Sequence, residues 1–273
     1  MTGLWHLLGY QFLQNALAAS CTVAVCAAVI GYFLIGRGLT FAGHAFPNIG
    51  FAGAAGAVLA GVAPVFGLFS FTIGAALVFS FLGKEGRDRD LGIGVTMTFC
   101  LGLGLFFLAL YSGYADRVYG ILFGTILGIS AGEVSVTLVA SAVTLAALAF
   151  LFRPLLFSTA VPESALARGV PAKLVAGAFL VLTAITVSLA VQITGSLLVF
   201  TLLVGPAATA RSVFRRPLAV IALAVGLGEV YVVAGILAAA ATGTLPVSFF
   251  VAAFSFVTFI LVRWLRGGTS WKR

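Results

Sequence analysis

The chain has 273 residues, of which 62% are hydrophobic and 8% are charged, and its formal net charge is +8. Because soluble domains contain roughly 25% charged residues, this composition excludes a soluble globular protein and predicts one that spans a membrane. The basic residues border long apolar blocks instead of forming a patch with interleaved aromatics, so anionic lipid headgroups explain them better than nucleic acid does.

The apolar blocks are continuous, which indicates membrane-spanning helices and not the alternating strands of a barrel. A helix needs about 20 apolar residues to cross a hydrocarbon core roughly 30 Å thick, so the blocks can be counted as crossings. In chain order they are Phe12–Gly36, Leu39–Gly83, Leu91–Ala115, Val134–Phe152, Leu174–Ala210 and Leu218–Val262.

Three of these blocks, the second, fifth and sixth, are long enough for two crossings each. We expect them to turn at 61–64, 194–195 and 242–246, where glycine or proline occurs. The sum is nine, and it falls to eight if Gly195–Ala210, which Gly205 and Pro206 interrupt, is a half-helix. The sequence thus predicts an all-α polytopic membrane protein with eight or nine transmembrane helices, forming a single domain over residues 1–273.

The basic residues test this count, because Lys and Arg stay on the cytoplasmic side of a membrane. Nine crossings with the N-terminus outside place all fifteen Lys and Arg residues except Arg117 in the cytoplasm. This distribution predicts a multi-pass protein of the bacterial cytoplasmic (inner) membrane.

Two polar segments exceed the length that a turn requires. The segment Lys84–Asp90 has alternating charges and is interpreted as a solvated cytoplasmic loop. The segment Arg153–Lys173 is interpreted as a longer cytoplasmic loop with a short amphipathic helix, which Glu163 begins and Gly169 ends. A membrane protein that receives force from a soluble partner needs such an element.

Ionisable and strongly polar groups are few within the predicted crossings, and each is a functional candidate because insertion in lipid is costly. His44 and Asn48 lie one helical turn apart near the start of the second crossing. A neutral imidazole is a good ligand for zinc or manganese-like ions, whereas an amide oxygen suits harder cations better. A structural role in helix–helix hydrogen bonding explains the pair equally well.

Glu229 lies near the middle of its crossing and is a candidate intramembrane polar site. Its carboxyl group has three alternative roles: proton relay, cation binding, or a hydrogen bond that holds two helices together. The three cysteines, Cys21, Cys26 and Cys100, lie within predicted helices and lack the C-x-x-C spacing of redox or zinc sites.

Sequence motifs for catalysis are lacking: there is no G-x-S-x-G, no H-E-x-x-H and no Walker A sequence. We therefore expect a transport protein that is not itself an enzyme and binds no covalent cofactor. Energy for uphill transport would come from an ion gradient or from another chain.

Four segments, taken together, resemble the ABC-3 family, the membrane permeases of ABC importers for zinc and manganese. Ile30–Asn48 (IGYFLIGRGLTFAGHAFPN) resembles the family's Arg-x-(Leu/Met)-Ser/Thr-x-x-Gly motif, and Asp116–Ser130 (DRVYGILFGTILGIS) is similar to its Ile-Leu-Phe-Gly element. Gly195–Arg211 (GSLLVFTLLVGPAATAR) resembles its Pro-Ala-Ala-Thr-Ala-Arg stretch. The fourth segment resembles the loop that docks on the ATPase, and its residues are Pro162, Glu163, Ser164, Ala165, Leu166, Ala167, Arg168, Gly169 and Val170.

The first motif and the residues after it depart from the family at two positions, 44 and 48. Family members usually have Asp directly after the motif's glycine and His four positions later, and these residues line the metal path. His44 and Asn48 occupy those positions here. The resemblance thus implies that they form the metal path of this chain, although the carboxylate is gone.

The resemblance also implies a type II importer-like helix bundle and a set of partners. These are a second permease copy, a cytoplasmic ABC ATPase dimer and an extracytoplasmic metal-binding protein, which together would move zinc or manganese by alternating access. Two alternatives stay open. One is an ABC permease for a metal chelate such as haem or a siderophore, and the other is an ATPase-independent secondary transporter or channel that uses Glu229.

Overall fold

The fold is entirely helical in the residues that the structure, a computed structural model, describes: 10–82, 87–111, 129–242 and 245–266. Ten helices follow one another along this part of the chain. They are α1 Gln11–Gly36, α2 Thr40–Leu59, α3 Pro64–Phe81, α4 Arg87–Leu110, α5 Ala131–Ala160, α6 Pro162–Ala167, α7 Ala172–Thr194, α8 Ser196–Val213, α9 Pro217–Thr242 and α10 Val247–Leu265.

Each of the nine predicted crossings corresponds to one long helix among these ten. Seven of them are long and apolar enough to span a membrane: α1, α3, α4, α5, α7, α9 and α10. The other two are α2, whose hydropathy His44 and Asn48 lower, and α8, an apolar helix of 18 residues. Helix α8 continues without a break through Pro206 to Val213, and the choice between eight and nine crossings stays a prediction.

Glycine sets several of the helix ends. Gly38, Gly61 and Gly169 follow α1, α2 and α6, and each has a positive φ of 63° to 75°. The residue after each glycine donates its N–H to a carbonyl five residues back, as Val170 does to Ala165 at 3.0 Å. This arrangement satisfies carbonyls that a helix end leaves free. The predicted turn at 61–64 and the predicted end of the short helix at Gly169 are both confirmed.

Helix α1 lies at the centre of the bundle and packs against α5, α7, α8 and α9, while α2 packs against α3 and α4. Two glycines allow close backbone approach between helices. A Cβ atom at Gly31 would clash with the backbone carbonyl of Leu203 on α8, and one at Gly53 would clash with the carbonyl of Gly67 on α3. In lipid the hydrophobic effect does not drive helices together, so close van der Waals packing at small residues stabilises their association instead.

Two sequence interpretations need correction. Arg87–Asp90, expected in a solvated loop, forms the first turn of α4, where Asp88 and Asp90 lie favourably at the positive end of the helix dipole. The loop predicted to begin at Arg153 begins after Ala160 instead, because α5 continues through Pro154, and Lys173 already lies in α7. Residues 84–86 of the first segment lie outside the described residues.

Candidate transport site and coupling end

The predicted pair His44 and Asn48 lies on one face of α2, one turn apart. The Asn48 side-chain Nδ2 donates a hydrogen bond to the main-chain oxygen of His44 at 2.9 Å. The His44 side chain is exposed in the single chain and Asn48 is half-buried. The prediction that the two share a face is confirmed, whereas their role toward a metal stays a prediction.

Two residues that the sequence interpretation did not name complete this face. The Sδ atom of Met97, on α4, accepts a hydrogen bond from Asn48 Nδ2 at 3.7 Å. The ring of Phe200, on α8, meets the His44 imidazole edge to face, with 5.2 Å between ring centroids. We call His44, Asn48, Met97 and Phe200 the path face. It joins α2, α4 and α8, so a movement of any of these helices changes it.

Among the described residues, no group of three or more His, Cys, Asp or Glu side chains is placed to hold a metal ion.

The predicted short helix is present as α6, packed on the end of α5. Ala165 is fully buried there, and the Arg168 guanidinium lies 5.5 Å from the centre of the Phe157 ring, a cation–π contact. The opposite side of α6 is exposed, and Leu166 on it is 62% exposed. The other exposed residues on this side are Glu163, Ser164 and Ala167. The helix thus has one side fixed to α5 and another side free for a partner.

Arginine side chains connect the helices at this same end of the bundle, which we call the coupling end. Arg37, just after α1, donates to the hydroxyls of Ser158 at 2.9 Å and Thr159 at 3.3 Å, both in the last turn of α5. Two more arginines bond to main-chain oxygens of the α1 end: Arg89 to Gly38 at 3.0 Å and Arg211 to Tyr32 at 3.4 Å. Arg211 also lies over the Tyr32 ring at 5.6 Å. These contacts bring Arg37, Arg89 and Arg211, which belong to three different crossings, to one side of the bundle.

The sequence profile of the ABC 3 transport family matches residues 9–265 of this chain. The chain belongs to the ABC 3 transport family. It is 31% identical over 232 residues to the manganese transport system membrane protein MntC of Halalkalibacterium halodurans, and this alignment covers 85% of this chain and 80% of the relative.

The chain is also 25% identical over 232 residues to the high-affinity zinc uptake system membrane protein ZnuB of Haemophilus influenzae. That alignment covers 85% of this chain and 89% of ZnuB.

Solved structures support the same fold for this ABC 3 family chain. PsaBC from Streptococcus pneumoniae in complex with Fab superposes with a TM-score of 0.81 at 26% identity, covering 94% of this chain and 92% of that one. A second solved structure, an inward-facing conformation of a putative metal-chelate type ABC transporter, superposes with a TM-score of 0.74 at 18% identity. The match covers 92% of this chain and 86% of that one, and at this identity it is evidence for the fold only. The predicted type II importer-like bundle and the multi-pass membrane location are confirmed.

Glu229 of this ABC 3 family chain lies away from the path face, on α9. Its carboxyl group lies next to the side chain of Cys21 on α1, and both residues are half-buried near the middle of their helices. The structure therefore brings Glu229 to a neighbouring helix, as one of its three expected roles requires, and not to His44 or Asn48. Asp116 and Arg117, at the start of the second family segment, lie outside the described residues.

Proposed function

We propose that this chain is the permease subunit of an ATP-binding cassette importer that moves a divalent metal ion, zinc or manganese, across the cytoplasmic membrane by alternating access. The observation that supports this most is the family match over residues 9–265, together with relatives named for manganese transport and zinc uptake. The described helices carry a partly exposed polar path face and a short exposed helix, α6, the two elements that such a subunit needs.

The path face supports the proposal that two permease copies form the route. His44 is exposed and Asn48 half-buried in the single chain, and polar groups that face lipid without a partner are costly. A second copy that covers this face would remove both groups from lipid and place two such faces opposite each other. An ion handed over by an extracytoplasmic metal-binding protein would then pass between them.

The coupling end supports the proposal that the work comes from a cytoplasmic ATPase dimer. The free side of α6 offers Glu163, Ser164, Leu166 and Ala167 to a soluble partner. A force on α6 reaches α5 through the buried Ala165 and the contact of Arg168 with Phe157. From α5 the force reaches the connection between α1 and α2 through Arg37. Arg37 precedes His44 by seven residues.

The deciding experiment is reconstitution in proteoliposomes with a cytoplasmic ABC ATPase and an extracytoplasmic binding protein from the same organism. We expect uptake of zinc or manganese that requires ATP and stops with a catalytically inactive ATPase. A haem-type chelate in a parallel assay tests the alternative cargo. Uptake that is equally fast without ATP would overturn the proposal.

A second experiment tests the docking of α6 directly. A cysteine at Leu166 should form a disulfide or a short cross-link with the ATPase, because Leu166 is 62% exposed. The matched control is a cysteine at Phe214, which is 45% exposed beyond the end of α8. Equal cross-linking at the two positions would contradict the assignment of α6 as the docking helix.

A further inference from the structure

We propose that a groove beside α4 binds one phospholipid whose headgroup carries both a phosphate and a primary ammonium, as in phosphatidylethanolamine. The groove lies between the start of α2 and the first half of α4, and its volume is about 1040 Å³. Small-molecule pockets usually measure roughly 300 to 1,000 Å³, so this one is large. Its lining includes Phe41 of α2 and, on α4, Arg87, Asp90, Leu91, Val95 and Phe99.

The groove has one charged end, and the rest of its length is mainly apolar. Arg87 and Asp90 lie one helical turn apart at the start of α4. Beyond them, Leu91, Val95 and Phe99 follow at intervals of four residues, which places them along one side of the helix. All three are exposed, and Val95 is 72% exposed. A charged end followed by an apolar track has the same order as the headgroup and acyl chain of a phospholipid.

The length and position of the groove fit one leaflet of a membrane. Phe99 follows Arg87 by twelve residues, a rise of about 18 Å along a helix. Half of a hydrocarbon core measures about 15 Å. Arg89, in the same first turn, donates to the main-chain oxygen of Gly38 at 3.0 Å, so the charged end of the groove lies at the coupling end of the bundle. An acyl chain that begins beside Arg87 would therefore end near the middle of the membrane.

The two charges at the mouth of the groove select the headgroup. The exposed guanidinium of Arg87 can form paired hydrogen bonds with a phosphate. Asp90 would repel a headgroup that carries only negative charge. Its Oδ1 atom is buried and accepts no hydrogen bond within the described part of the chain, which is costly for a carboxylate. A primary ammonium supplies both the positive charge and the N–H donors that Asp90 lacks.

Other common headgroups satisfy only part of this pattern. Phosphatidylcholine has the same two charges, but its quaternary nitrogen has no N–H group to donate to Asp90. Phosphatidylglycerol offers a phosphate to Arg87 and has no cationic group for Asp90. Comparing these three lipids therefore isolates the contribution of the ammonium.

The side of α4 that carries the groove favours lipid over a second copy of this chain as the occupant. Helix α4 packs chiefly against α2, and its Met97 faces Asn48. Each residue turns about 100° around a helix, so Val95 lies nearly opposite Met97. A second copy that covers the path face would meet the Met97 side of α4. The Val95 side would remain open to the membrane.

Native mass spectrometry of the solubilised full chain tests this inference, with phosphatidylethanolamine, phosphatidylcholine and phosphatidylglycerol of identical acyl chains as probes. We expect phosphatidylethanolamine to be retained about tenfold more than the other two, because only its ammonium can donate to Asp90. Asp90→Asn removes the charge with little change in size and should abolish this preference. Asp88→Asn is the matched control, since Asp88 is exposed in the same turn and does not line the groove.

A second variant tests the apolar part of the groove without changing a charge. Val95→Trp should fill the groove and lower retention of all three lipids several-fold, whereas Leu105→Trp, at an exposed position of α4 beyond Phe99, should not.

Three lipid results would overturn the inference: equal retention of phosphatidylethanolamine and phosphatidylcholine, stronger retention of phosphatidylglycerol, or a preference that Asp90→Asn leaves unchanged. A Val95→Trp variant that binds lipid normally but no longer forms a dimer would also overturn it, because the groove would then be an interface between copies. None of these measurements involves transport, so the proposed function is tested separately.

Discussion

The coupling end and the path face differ in the strength of the contacts that hold them. At the coupling end, three arginines make hydrogen bonds between helices, and Arg37 alone bonds to two hydroxyls of α5. At the path face, the contacts are a 3.7 Å bond to sulfur and an edge-to-face ring pair. Charged donors bind more strongly than a thioether or a ring edge does. A permease built this way can transmit movement at one end and rearrange in its middle.

Both regions depend on the close packing of α1 against α8. A substitution that disrupts this packing should lower the stability of the protein more than a change within either region. Gly31→Ala places a methyl group against the Leu203 carbonyl, which should reduce stability by about 3 kcal/mol. We expect a marked fall in the melting temperature of the detergent-solubilised protein, measured by fluorescence-detected size-exclusion chromatography after heating. Gly226→Ala, where nothing lies within 4 Å of the added atom, should be tolerated. Equal melting temperatures for the two variants would contradict the packing argument.

The strong contacts of the coupling end can be tested at Arg37. Arg37→Met removes the guanidinium and keeps a long apolar stem, so the end of α5 loses its connection to α1. We expect assembly and basal ATP hydrolysis to persist while metal transported per ATP falls about tenfold, equivalent to about 1.4 kcal/mol of coupling. Arg216→Met, an exposed basic residue at the same end, is the control.

Thr159→Val probes the same connection from the other side with a nearly isosteric change and should give a smaller loss in the same direction. If Arg37→Met and Arg216→Met transport equally well per ATP, the coupling end does not transmit force through Arg37.

The weak contacts of the path face can be tested at Phe200. Phe200→Ala removes the ring that meets His44, a contact of about 1 kcal/mol, and opens space between α2 and α8. We expect metal transport per ATP to fall several-fold with little change in melting temperature, measured by uptake and ATP hydrolysis in the same vesicles. Phe256→Ala on α10, where the ring is 66% exposed, should not change this ratio. If the amount of metal transported per ATP is unchanged in both variants, the Phe200 ring has no role in transport.

The smallest effect is expected at Glu229, which belongs to neither region. Glu229→Gln keeps the size of the side chain and its capacity to hydrogen-bond beside Cys21, so ATP-driven uptake should stay within about twofold of the wild type. Uptake kinetics at two external pH values provide the measurement. Loss of transport in this variant, with normal assembly, would instead favour the alternative of an ion or proton site at Glu229.

Sequence reasoning located most of the helices because their ends are chemically marked. Glycine and proline occur at the turns near 61–64, 194–195 and 242–246, and each turn separates two long helices as expected. The misplaced ends of α4 and α5 come from charged residues inside helices. Arg87–Asp90 begin α4, and the long Arg153 side chain allows its charged group to reach the membrane surface while α5 continues.

The path face shows why a site is harder to predict than a fold. His44 and Asn48 stand out as polar residues in an apolar helix, and their spacing places them on one face. Met97 and Phe200 do not stand out, because apolar residues are expected throughout α4 and α8. Only the packing of α2 against both helices reveals that these two side chains touch the pair.

The junction of α7 and α8 is a single residue, Gly195, whose φ of 80° excludes most side chains. Its neighbours Thr194 and Ser196 are each only 6% exposed, so the chain is buried at this turn. An epitope tag inserted after Gly195 would therefore have to separate two packed helices, whereas the same tag after Gly61, in an exposed turn, would extend into water. Of these two turns, the one at Gly61 is accessible to an antibody, a protease or a docking protein, and the one at Gly195 is sealed.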